Sequence, residues 1–189
     1  MHYGRQPQKA LEENLKEVTT YSVGQVRVAG LVASYYGTQR SVRNNAGEVV
    51  YGGSDLIVIR GDLTALQRRE NPEAAQRAIA QARVFDDAAS DCFEGFLASR
   101  RNYDVAQGLD ARGTWRSGVL EQSWRVGGAT SAEVLALEAF QADSSLDVLR
   151  ASSVEKYGEE TQVPEGAITF YRGSDEYGGS IVKYAMVET

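Results

Sequence analysis

The chain is short of the side chains that carry most enzyme chemistry. Its 189 residues include one histidine, His2, and one cysteine, Cys92. His2 stands in a polar, glycine-containing start, and residues 1–6 are expected to be mobile. A Ser-His-Asp or Cys-His mechanism therefore lacks its base within the folded body. The same shortage removes the ligands of a Cys/His zinc site, and a lone cysteine forms no internal disulfide. Cys92 sits between Asp91 and Glu94 and reads as a small buried hydrophobe, not a nucleophile. Phosphate loops are missing too: there is no GxxxxGK[ST], and no GxGxxG follows a strand. Gly52-Gly53-Ser54-Asp55 falls between two strands instead of before a helix, and reads as a turn.

Other absences bound the setting. No apolar run approaches the 18 residues of a membrane-spanning helix. The start MHYGRQPQK has no apolar core, so no signal peptide is expected; the expected location is the cytoplasm or a particle assembled there. No Lys/Arg run as long as a nucleic-acid patch requires occurs, and the formal net charge is −6, which argues against nonspecific nucleic-acid binding. Only three prolines occur and no Ser/Gly tract does, so a single domain over residues 1–189 is expected. No cofactor and no metal site is expected. An acidic helix face at Asp87, Asp91 and Glu94 reads as a solvated surface.

What the chain does have is one long regular pattern, from Asn71 to Arg101. Pro72 stands where a helix starts, and the run ends in arginine. At 100° per residue, Ala75, Ile79, Ala82, Ala89, Phe93, Phe96 and Leu97 share one side. The expectation is an α+β fold, in which a mostly antiparallel sheet packs against this one central helix, about residues 72–100. Sheet segments are expected within residues 21–60, 114–126 and 167–187. Val49–Tyr51 and Leu56–Arg60 read as separate strands, and Asn44-Asn45-Ala46-Gly47 as a turn. AITFYRG and GSIVKYAMVE form a terminal hairpin across SDEYG. Short flanking helices are expected at Pro7–Val18, at Leu63–Arg69 capped by Asp62, at Ala132–Gln141 and at Leu146–Lys156. Residues 102–113 read as a loop or a frayed helix end.

Asp86 breaks the pattern, because it falls inside the apolar stripe of the long helix. Buried alone, it would be a general acid or base; paired with an arginine or capping a neighbouring backbone group, it would be structural. Arg172, with Asp175 and Glu176 in the terminal hairpin, is the second catalytic suspect, against an exposed hairpin tip. Ten tyrosines stand against five phenylalanines, a balance suited to wet interfaces. Tyr35, Tyr36, Trp115, Trp124 and Tyr171 are the candidate interaction surface. The expected function is therefore a non-enzymatic structural or accessory subunit of a larger assembly, a virion among the candidates. Its partners are other protein subunits or a second copy of itself. The alternative is a small enzyme or ligand-binding domain using carboxylate, tyrosine and arginine groups.

Overall fold

Strands, not a helix, organise this chain. The computed structural model describes residues 14–158 and 162–188. The helix expected at Pro7–Val18 and the mobile start at residues 1–6 lie largely or wholly outside the described residues; Lys16–Val18 are strand. In chain order the elements are β1 (Lys16–Val28), β2 (Leu31–Arg43), β3 (Val49–Arg60), α1 (Leu63–Arg68), α2 (Glu73–Cys92), β4 (Arg100–Leu109) and β5 (Trp115–Ser123). Then come α3 (Thr130–Ala142), β6 (Val148–Tyr157), β7 (Ile168–Ser174) and β8 (Ser180–Glu188). The eight strands form one antiparallel sheet in the order β5-β4-β1-β2-β3-β6-β8-β7.

Residues paired across antiparallel strands point to the same side, so the register sorts side chains between faces. Val26, Ala33, Tyr35, Leu56, Val58, Leu149 and Ala151 share one face and pack under Ala132, Ala136, Leu137 and Phe140 of α3. Val23, Ile59, Tyr103 and Val105 share the other, under Ala78, Ile79 and Ala82 of α2 and Leu63 and Leu66 of α1. The helices therefore lie on opposite faces and over different halves of the sheet. Each half keeps one face without a helix among the described residues.

This corrects the expectation of a sheet packed on one long central helix. The long helix stops at Cys92, where Gly95 turns at φ +73°. Ala75, Ile79, Ala82, Asp86 and Ala89 are buried as its stripe requires, but Phe93 and Leu97 are exposed. Two segments change class. Leu146–Lys156 is largely β6, because its alternating Leu149, Ala151 and Ser153 lie beneath α3. Small side chains there let the helix come close, and they weaken the apolar signal of a strand. Residues 102–109, read as loop, belong to β4; its Gln107 is buried and donates to the Ala74 carbonyl of α2 (2.8 Å).

Several local readings hold. Asp62 caps α1 through the amide of Ala65 (2.8 Å). Asn44 closes the turn before β3 by accepting from Ala46 and Glu48 amides. The terminal hairpin β7–β8 forms across the Asp175–Gly179 turn. Tyr21–Tyr36 is two strands, joined at Ala29-Gly30 with both residues at positive φ, as a tight hairpin turn needs. Val49–Arg60, expected as two strands parted by a turn at residues 52–55, is instead one strand with a bulge at its glycines; Gly53 has φ +126°, and a Cβ there would stand 1.9 Å from the Ser153 carbonyl oxygen. Arg60 closes α3 from below: its Nη2 donates to the Phe140 (2.6 Å) and Asp143 (3.0 Å) carbonyls at the helix end.

Candidate functional site

Asp86 is 6% exposed, and it is not alone. Its Oδ2 accepts from Arg101 Nη1 (2.8 Å) and its Oδ1 from the Tyr103 hydroxyl (2.5 Å), while Trp124 Nε1 donates to the same hydroxyl (3.2 Å). Burial, together with the bond to Asp86, pushes the Tyr103 hydroxyl well above the ordinary tyrosine value. Both carboxylate oxygens are thus occupied by structural partners. This is the arginine-paired reading of Asp86. Arg172 lies on β7, exposed, while Asp86 contacts β4. Six strand spacings separate those two strands, about 29 Å. The two catalytic suspects do not share a site.

α3 carries a second acid of this kind, one not singled out from the sequence. Glu133 lies four residues after Ala129, four before Leu137 and seven before Phe140, all buried, so it too stands inside an apolar stripe. It is fully buried. Its carboxylate accepts from Arg100 Nε (2.8 and 3.1 Å) and from the Tyr35 hydroxyl (2.5 Å). Arg100 also donates to the Ser123 and Arg125 carbonyls (3.0 and 2.7 Å), and Tyr35 reaches Asn102 Oδ1 (3.0 Å). Burial and the charge of Glu133 raise the Tyr35 hydroxyl well above its usual value. Tyr35 is therefore a core residue and is removed from the candidate interaction surface.

The other members of that surface do not form one patch. Trp115 is exposed on β5, and Trp124 is half-buried against Phe96 at 4.6 Å between ring centres. Tyr36 lies half-buried in the middle of the sheet, beside the concavity that holds Arg40 and Asp55. There Arg40 grips Asp55 with two bonds (2.7 and 2.5 Å), and Ser152 Oγ donates to the same carboxylate (2.7 Å). Tyr171 sits at the far edge, on β7, seven strand spacings from β5, about 34 Å. Cys92 is exposed, not buried. Among the described residues, no three His, Cys, Asp or Glu side chains gather as a metal site, and Asp87 faces Arg83 instead (3.6 Å).

One feature lies apart from the neutralised clusters. Between α3 and the β7 edge runs a cleft of about 610 Å³, walled on the helix side by Ser131, Val134, Leu135 and Glu138. Those positions fall three and four apart, so they form one stripe along α3. A second cleft of about 560 Å³ continues towards the β7–β8 turn, and the two share Phe170 and Lys183. The pairing of β7 with β8 slips between Thr169 and Tyr171, so Phe170 is a bulged residue. The bulge turns consecutive aromatics, Phe170 and Tyr171, towards the same trench. Ile168, Phe170 and Tyr171 are 54%, 52% and 43% exposed, and Val126 and Val134 on the opposite wall are 77% and 44% exposed. Every residue of β7 is exposed. The sequence pointed to Tyr171 and to the hairpin; it did not show the wall, because that comes from α3, about thirty residues earlier in the chain.

A family model described as "Protein of unknown function (DUF3182)" matches residues 8–185. No curated protein matches the chain. A solved structure of chicken CD1-1 is 9% identical, over 89% of this chain and 90% of that one, at a TM-score of 0.19, too low to bear on fold or function. In the described residues no helix is long and apolar enough to cross a membrane.

Proposed function

We propose that this chain, which belongs to the DUF3182 family of proteins of unknown function, acts by association, as a non-enzymatic accessory or structural subunit of a larger protein assembly. The observation that carries the reading is the trench between α3 and β7, where apolar side chains from both walls stand in solvent. Groups of this size left uncovered beside an edge strand mark a surface awaiting a partner. The buried acids support the same reading from the other side. Asp86 and Glu133 each spend both carboxylate oxygens on an arginine and a tyrosine, so neither stands free as an acid or base.

The test is gentle purification from cells that naturally make the protein, followed by size exclusion with light scattering. Association predicts a particle heavier than the 20.6 kDa chain, and a shift to 20.6 kDa for the double variant Phe170→Glu with Tyr171→Glu. A native chain that elutes at monomer mass at every concentration, with nothing co-eluting, contradicts the proposal.

A further inference from the structure

The trench lies where a second helix beside α3 would run. α3 packs over β2, β3, β6 and β8, and β7 carries no helix on that face among the described residues. Packed helices lie 8–10 Å apart, and strands about 4.8 Å, so a helix beside α3 would run two strands further on. Two strands beyond β6 is β7. The floor there is Ile168, Phe170 and Ala185, and the wall is the Val134–Leu135 stripe of α3. Both surfaces are apolar, as an amphipathic helix laid in a groove requires.

The charges around the trench select which helix. Glu138, Glu155, Asp175 and Glu176 line it, against a single ammonium, Lys183. Lys183 is already bound to Glu155 (2.9 Å). Asp175 is pushed up by burial but held below the usual carboxylate value by Asn45 and by the Gly179 and Tyr177 amides, so it is ionised at neutral pH. Glu138 and Glu176 have no ion-pair partner among the described residues. A second copy of this chain, at net charge −6, brings more of the same sign.

We infer that the trench receives an amphipathic helix of a partner protein, its apolar stripe on Phe170 and Val134 and its flanks bearing lysine or arginine opposite Glu138 and Glu176. The inference rests on the association reading and names the kind of partner within it.

The test uses the full chain and three fluorescein-labelled peptides of about 18 residues, roughly 27 Å as helices. One carries leucine at three- and four-residue steps with lysine elsewhere. The second replaces each lysine by glutamate. The third has the composition of the first with the leucines scattered around the helix. Fluorescence anisotropy is expected to show saturable binding of the first peptide only, weakening as salt rises. The variant Glu138→Lys with Glu176→Lys is expected to lose about tenfold or more in affinity, as is Phe170→Asp. Both glutamates are exposed, and Glu176→Lys alone, in the hairpin turn, serves if the double variant does not fold. Equal binding of the first and third peptides, binding of the glutamate peptide, or no effect of the variants overturns the inference. So does a chain that dimerises through Phe170, or a photo-crosslinker at that position that reacts only with the chain's own residues 1–13. A particle heavier than monomer from native cells, with no binding of the lysine peptide, would leave association standing and remove this partner class.

Discussion

The two ends of the sheet treat their polar and aromatic groups in opposite ways. At the β4 end, each helix drives one carboxylate through its own apolar stripe onto the sheet. α2 brings Asp86 to Arg101 and Tyr103 on one face, and α3 brings Glu133 to Arg100 and Tyr35 on the other. Arg100 and Arg101 are neighbours in a strand, so they point to opposite faces, and one short segment answers both helices. At the β7 end nothing answers. Phe170, Tyr171 and Val134 stand half in solvent, and Glu138 and Glu176 have no ion-pair partner among the described residues. The first arrangement fixes where the helices sit; the second leaves a surface whose partner is outside the chain.

The comparison breaks first at Glu133. Its replacement by alanine strands the Arg100 guanidinium, 8% exposed, without its counter-ion. Removing one member of a buried pair costs about 3–5 kcal/mol, and urea unfolding should show a loss of that size. Arg100→Met combined with Glu133→Leu should recover a large part of it, because both charges then leave together.

Asp86→Leu should cost less, about 1–3 kcal/mol. Arg101 keeps 17% of its side-chain surface in water and can turn towards it, whereas Tyr103 loses its acceptor. A loss from Asp86→Leu equal to or greater than that from Glu133→Ala would reverse this order.

At the other end, Phe170→Ala should change stability by about 1 kcal/mol or less, since half of the ring is already hydrated. Thermal melting measures this, and the same variant should lose its partner. Stability and association would then be carried by different ends of the sheet. A strongly destabilised Phe170→Ala would make the trench part of the core.

The smallest effect belongs to Asp55. Partial burial raises its carboxyl, but the Arg40 and Ser152 bonds outweigh that and hold it below the ordinary aspartate value. A lowered carboxyl contributes stability above the unfolded value of about 3.9, and the contribution is lost as pH falls through the lowered value. The pair is 44% exposed on both sides, so solvent screens most of it. Wild type and Asp55→Asn should therefore differ slightly in stability at pH 7 and converge as the pH falls below about 4.

How far this was legible in the sequence depends on whether a signal was local. The Asp62 cap, the Asn44 turn and the β7–β8 hairpin rest on residues close together in the chain, and each is present. β4 and β6 were hidden because, beside Tyr103, Val105 and Leu149, several of their inward side chains, Asn102, Gln107, Ala151 and Ser153, are polar or small. Those residues are buried because of what α2 and α3 bring to them from elsewhere. Asp86 was visible as an anomaly on a helical wheel, and its arginine partner was one of the two readings it allowed. Glu133 carries the same signature on a shorter helix. The trench had no local signature, since its two walls meet only in the fold.

The central claim is that association runs through the β7 trench. A photo-crosslinking amino acid at Tyr171, compared in native cells with one at Leu120 on the opposite edge strand, tests it most directly. Leu120 is 47% exposed, close to the 43% of Tyr171, so accessibility is matched. The account predicts a discrete adduct to another protein from position 171 and none from position 120. Adducts of equal yield from both edges, or none from position 171, would contradict it.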